Sequence, residues 1–268
     1  MESFFQQSGE HMADTTDKAV EIMNEEGRGA AIIVCEHASN HIPAAWGDLG
    51  LDAAARQSHA AWDPGAAPVA RRLAEALDAP LVAATVSRLV YDCNRPPDDP
   101  SAMPAQSEAI AVPGNAGLSA AARAARVRAV YAPFTDALSA LIARRQAEGA
   151  PFALVTIHSF SPTWFGTPRA VEVGILHDTD RRLADAMLAE ANTLSHRDIR
   201  RNAPYGPEDG VTHTLRAHGL ANALPNVMIE LRNDLLATPA AQDGMAAEVL
   251  RLLCPALAAL GLREGYDA

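Results

Sequence analysis

The sequence predicts one α/β domain in which a mixed, mostly parallel sheet is sandwiched by helices. Three observations carry this reading. Short apolar runs such as Ala31–Cys35 and Phe152–Ile157 have no polar face, as strands covered on both sides by helices require. Between such runs lie stretches with apolar residues at helical spacing, for example Val69, Leu73 and Leu77. The 268 residues, 49% of them hydrophobic, suffice for one full core, and no repeat, low-complexity tract or linker divides them.

Residues 1–28 are polar and acidic and read as an N-terminal extension with little to bury, helical at most over Thr15–Glu26; residues 29–268 form the domain. Ala31–Cys35 is the first strand, Asn40–Gly50 a loop and Asp52–Gln57 a short helix. Asp63 before Pro64 suits a helix start, with Asp63 as cap and Pro64 in the first turn; Asp78-Ala79-Pro80 closes that helix. Leu81–Val86 is the next strand and Leu89–Cys93 another extended piece. Asn94-Arg95-Pro96-Pro97 then opens a long loop, also holding Pro100, Pro104 and Pro113, of the kind that often forms a functional lid. Ser119 caps an Ala-rich helix running toward Gln146, kinked at Pro133. Phe152–Ile157 is a strand, Phe160–Arg169 a loop, Val171–Leu176 a strand and Asp178–Leu194 a helix with Leu183, Met187 and Leu194 on its apolar side. A turn-rich loop at Arg200–Pro207 and a short helix at Thr212–His218 precede the last strand, Asn226–Ile229, and the closing helix, Thr238–Leu260.

Composition excludes some functions. A formal charge of −11 and a pI near 5.2 argue against nucleic-acid binding, although a local arginine cluster can still serve a small anion. Cys35, Cys93 and Cys254 have no metal-binding spacing, and Cys35 and Cys254, in apolar surroundings, read as reduced core residues of a cytoplasmic protein. No apolar run approaches the ~20 residues of a membrane span, so no membrane partner is expected.

The strand ends gather the chemistry. Ligand crevices in open α/β sheets form at the carboxyl ends of strands. Three buried runs end on His37, His158 and Glu230, and a fourth feeds Arg88, Asn94 and Arg95. His37 alone is open to three readings: metal ligand, acid/base, or a mere end to its strand. Asp63 is a helix cap or a carboxylate reaching a metal. Arg88, Asn94 and Arg95 make an anion fork, or else Arg88 pairs with Asp92 and Arg95 is solvated. Two histidines and a carboxylate make a hydrolytic zinc site, and a second carboxylate then moves protons. Glu230, beside Val227-Met228-Ile229, has the burial that raises a pKa for that task; its alternative is a salt bridge to Arg232 or a helix-end contact.

Taken together, Glu36-His37-Ala38-Ser39-Asn40-His41-Ile42-Pro43, Trp62-Asp63, Ser87-Arg88, Asp92-Cys93-Asn94-Arg95-Pro96, Ile157-His158-Ser159 and Ile229-Glu230-Leu231 resemble the N-formylglutamate amidohydrolases over about Ala31–Leu236. The resemblance implies a zinc-exopeptidase (phosphorylase/hydrolase)-like fold, one Zn²⁺ per chain and a small acidic N-acyl amino acid as substrate. It further implies zinc ligands His37, Asp63 and His158, general base Glu230, and substrate contacts from Arg88, Asn94, Arg95 and Ser159. Two departures stand out. The wider exopeptidase group takes its carboxylate three residues after the first histidine, where this chain has Asn40, which leaves Glu36 as a reserve to Asp63. Histidine-degrading members have Pro-His-Ala-Gly where Glu36-His37-Ala38-Ser39 stands, which leaves the acyl amino acid open. The expected reaction is hydrolysis of N-formyl-L-glutamate to formate and glutamate. A binding protein that kept the site without turnover is the alternative; a serine hydrolase using Ser39 or Ser159 fails for want of a Gly-x-Ser-x-Gly elbow.

Overall fold

In the computed structural model, which describes residues 18–262, seven strands form one mixed sheet. They are β1 (Val20–Met23), β2 (Ala31–Cys35), β3 (Leu81–Ala84), β4 (Ala153–Phe160), β5 (Val173–Leu176), β6 (Ile199–Arg201) and β7 (Asn226–Arg232). Their spatial order is β1-β3-β2-β4-β7-β5-β6. The central four, β3, β2, β4 and β7, run parallel, so their carboxyl ends share one edge. On the flanks, β1 is antiparallel to β3, and β5 is antiparallel to β7 with β6 parallel to it.

Alternation along β2 and β4 splits the core in two. Ile33, Cys35, Val155 and Ile157 face α2 (Ala66–Ala76), α5 (Arg182–Ala189) and α6 (Pro239–Ala259). Ile32, Val34 and Leu154 face α4 (Ala132–Glu148), whose Phe134, Leu138 and Ile142 are buried. Burial on both faces is why these strands read as unbroken apolar runs. Leu73 of α2 is fully enclosed, and truncating such a leucine to alanine costs about 2–5 kcal/mol. Among the described residues no helix is long and apolar enough to cross a membrane.

Several expectations are corrected. Val20–Met23 is a strand, not part of a helix; residues 15–17 lie outside the described residues. Val20 and Ile22 both pack on the α4 side, a period-2 pattern that the surrounding acidic residues mask. Leu89–Cys93 is a buried run of turns, because the Ser87 hydroxyl accepts Leu89 N–H at 3.2 Å and the Ser87 carbonyl accepts Val90 N–H at 2.9 Å. The long proline-rich loop is built rather than structureless: it holds a small hairpin, Gln106–Ser107 with Ile110–Ala111, between two 3₁₀ turns. Where a kink at Pro133 was expected, one π-helical turn, Val127–Tyr131, stands between α3 (Ala120–Arg126) and α4, and Pro133 lies in the first turn of α4. The helix expected over Asp178–Leu194 is only α5 plus a 3₁₀ turn, Ala191–Leu194. Arg200 and Arg201 belong to β6, whose charges protect an exposed sheet edge and hide the strand in the sequence.

Two glycines shape the site. Gly65 takes φ +83 at the start of α2, where an added Cβ would lie 2.4 Å from Leu236. Gly174 on β5 pairs with Glu230, and a Cβ there would lie 2.0 Å from the Ala203 carbonyl. Its bareness lets the loop carrying Pro204 and Tyr205 close on the sheet beside Glu230.

Candidate active site

The carboxyl ends of β2, β4 and β7 meet the start of α2 at a cavity of about 450 Å³. His37 follows β2 by two residues, His158 lies on β4, and Glu230 on β7 is the register partner of His158. Asp63 stands before α2 but does not cap it with its side chain; Gly65 occupies the cap position and the Asp63 carbonyl accepts Ala66 N–H at 3.1 Å. Freed from capping, the Asp63 carboxylate turns to the histidines.

Three donor atoms converge. His37 Nδ1 lies 3.2 Å and His158 Nδ1 2.9 Å from Asp63 Oδ2, and the two nitrogens are 3.2 Å apart. All three residues are 2% exposed. Glu36 is outside this triangle: its Oε2 lies 3.1 Å from the opposite ring nitrogen, His158 Nε2, at an angle that makes an ion pair but no hydrogen bond. His37 Nε2 is likewise held by a carboxylate, Asp92 Oδ1 at 2.7 Å. Arg88 bridges the cluster, donating from Nη2 to Asp92 at 2.8 Å and from Nη1 to Asp63 at 3.4 Å.

Electrostatics follow from burial. Burial alone would drive the His158 imidazolium toward neutrality, but Glu36 and Asp63 hold its pKa well above the ordinary value. His37 is also raised: Asp92 and Asp63 outweigh burial and the nearby Arg88. Against their own burial, Asp63, Asp92 and Glu36 are held low, by the two histidines, by His37 with Arg88, and by His158 respectively. Glu230 behaves oppositely. Its burial dominates and pushes it up to about 7.

The donor set fits a divalent cation. A tetrahedral zinc with arms of about 2.0–2.1 Å has ligand–ligand edges of about 3.3–3.4 Å; the edges of 2.9–3.2 Å here are a slightly contracted face of it. The outer nitrogen of each imidazole faces a carboxylate, the arrangement that turns the inner lone pair toward a metal. Asp63, Asp92 and Glu36 set three carboxylates against the one fixed positive charge of Arg88, an excess that a divalent ion held by neutral imidazoles would balance.

The substrate-facing residues divide. Arg88, Asn94, Arg95 and Ser159 all line the cavity. Arg88 is taken up by its two carboxylates. Asn94 donates to the Val211 carbonyl at 2.6 Å and accepts Thr214 N–H at 3.0 Å, so its amide ties down that segment. Ser159 Oγ donates to the Pro64 carbonyl at 2.8 Å and its N–H to Asp63 at 3.2 Å. Arg95 has no carboxylate partner among the described residues; it donates to Ser101 Oγ and to the Asn94 carbonyl. Two members of the cluster were not expected in these roles: Asp92 as the brace of His37 and Glu36 as that of His158. The four-residue step from Arg88 to Asp92 was the signal for the first, and the alternation of Glu36 with His37 for the second.

A family model described as N-formylglutamate amidohydrolase matches residues 29–237. The chain is 54% identical to the gene product Atu2144 from Agrobacterium tumefaciens, whose crystal structure it matches with a TM-score of 0.90 over 92% of this chain and 97% of that one. The crystal structure of N-formylglutamate amidohydrolase from Ralstonia eutropha JMP134 matches with a TM-score of 0.60 at 18% identity, over 91% and 98% of the two chains, and shares the fold. No curated protein matches the chain.

Proposed function

Since the chain belongs to the N-formylglutamate amidohydrolase family, we propose that it hydrolyses the amide of a small acidic N-acyl amino acid, most simply N-formyl-L-glutamate, with one Zn²⁺ held by His37, Asp63 and His158. The observation that carries this reading is the triangle of His37 Nδ1, His158 Nδ1 and Asp63 Oδ2 with Glu230 one strand away. When bound, such an ion supplies a Lewis acid that polarises the amide carbonyl and makes water acidic. Glu230, whose burial brings its pKa to about 7, takes the proton from the attacking water and returns it to the departing amine. Arg95 receives a substrate carboxylate, while Asn94 and Ser159 shape the wall around it. Arg88 holds Asp63 and Asp92 in place and keeps positive charge near the developing oxyanion. The buried thiols of Cys35 and Cys93 accord with a cytoplasmic setting.

Formate release from a panel of N-formyl and N-acetyl amino acids, with metal content measured on the same sample, tests the proposal. Turnover of an acidic N-acyl amino acid at about one metal per chain is expected. A fully metal-loaded protein that turns over none of the panel would favour a binding role.

A further inference from the structure

A third arginine reaches the cavity, from a different part of the chain than Arg88 and Arg95. Arg169 follows the small hairpin Thr163–Trp164 with Thr167–Pro168 and lines the same cavity as the histidines. Its guanidinium carbon lies 4.8 Å from the Tyr205 ring centre, 4.9 Å from Trp164 and 5.6 Å from Phe160. Nη1 donates to the Tyr205 hydroxyl at 2.9 Å and to the Ser161 carbonyl at 3.4 Å. The main chain is pinned as well: Arg169 N–H donates to the Pro162 carbonyl at 2.8 Å, and its own carbonyl accepts from Arg232 at 3.1 Å.

Among the described residues no carboxylate pairs with this guanidinium. Asp209 lines the same cavity but accepts Gly206 N–H at 2.8 Å, and Glu230 forms no ion pair with it. A clamp for the hairpin would account for the stacking and for Nη1. It leaves Nε and Nη2 without a partner, and that edge is one by which a guanidinium grips a carboxylate through two parallel bonds. Rings on three sides fix the fork in advance, so little side-chain freedom is lost when an anion binds.

We propose that Arg169 is a second anion receptor of the site, taking the carboxylate that Arg95 does not, and that it selects N-acyl derivatives of dicarboxylic amino acids. The proposal rests on the hydrolase reading above. Its test is steady-state kinetics of the metal-loaded Arg169→Met and Arg169→Lys proteins on N-formyl-L-glutamate and on its two mono-amides, each lacking one carboxylate. Arg169→Met should raise KM for the diacid on the order of 10²-fold, leave kcat within a few-fold, and leave KM unchanged for the mono-amide that lacks the carboxylate in question. Arg169→Lys, which keeps the charge but loses the fork, should recover part of the loss and serves if the methionine variant does not fold. An unchanged KM on the diacid, or an equal rise on all three compounds, would overturn the proposal; the latter would make Arg169 a support of the hairpin. Calorimetry with glutarate and butyrate separates the two readings. A parent protein without turnover contradicts the hydrolase reading, yet glutarate binding that weakens in Arg169→Met while butyrate binding does not would still support the receptor. Glutarate bound no better than butyrate by the parent would overturn it.

Discussion

His158 and Glu230 are register partners on adjacent parallel strands, so the glutamate stands one strand from the nitrogen that completes the donor triangle. The Asp63 and Glu230 carboxylates differ in state: Asp63 is held low by the histidines, whereas burial lifts Glu230 to about 7. That divergence separates an electrostatic role from a proton-transfer role. Replacing Glu230 with Gln keeps the volume and removes the proton acceptor. Metal content should stay near that of the parent, while kcat falls on the order of 10²–10⁴-fold. Loss of metal in this variant would make Glu230 a ligand instead.

Asp63 should behave in the opposite way. Asp63→Asn removes the charge that faces both Nδ1 atoms and Arg88. A ligand bound to the folded protein at about 1,000 times its Kd stabilises it by about 4 kcal/mol. Thermal melting of the parent should therefore rise on addition of Zn²⁺, and the rise should largely vanish in Asp63→Asn. An equal rise in both proteins would return Asp63 to a structural role.

Arg95 offers a test of substrate recognition independent of the metal. Its guanidinium leans on Ser101 and a backbone carbonyl, with no carboxylate to release. Arg95→Ala should raise KM on an acidic N-acyl substrate on the order of 10²-fold with metal content unchanged, since losing a buried charged contact costs about 2–5 kcal/mol. Unchanged KM would remove Arg95 from the binding surface.

The sheet core was legible because strands buried on both faces and amphipathic helices leave distinct periodicities; Ala31–Cys35 lies where the sequence puts it, and the short helix expected over Asp52–Gln57 is α1 (Ala53–Gln57) with Asp52 as its cap. Burial of parallel strands also made the convergence of His37, His158 and Glu230 foreseeable, since their carboxyl ends share an edge. What failed was local. Leu89–Cys93 has the composition of a strand because a buried turn needs the same apolar residues. Edge strand β6 carries too few apolar residues to stand out, and the apolar residues of β1 are masked by acidic neighbours. The Arg88–Asp92 pair was one of the readings the spacing offered, but the commitments of Asn94 and Ser159 to partners far along the chain depend on three-dimensional packing, which single-sequence pattern does not encode. The same holds for Arg169, whose aromatic shell joins β4, a hairpin and the Tyr205 loop.

Acid stability provides a pH test away from the metal ligands. Burial, with the positive field of His213 adding to it, depresses the His218 pKa to about 4. The unfolded chain takes up that proton near pH 6.5 and the folded chain does not. The stability it contributes is therefore complete above about pH 6.5 and is lost as pH falls to about 4, amounting to about 3 kcal/mol. In His218→Gln the fall in unfolding free energy between pH 7 and pH 4 should be smaller by roughly that amount. The same fall in both proteins would show that His218 does not titrate on unfolding.

The central claim is that a metal at His37, Asp63 and His158 is required for turnover. Formate release from N-formyl-L-glutamate, followed through chelation, dialysis and Zn²⁺ add-back on one preparation, measures this most directly. Activity should disappear with the metal and return in proportion to Zn²⁺ up to about one equivalent per chain, the capacity of a single three-ligand site. Turnover that persists undiminished in metal-free protein would contradict the account.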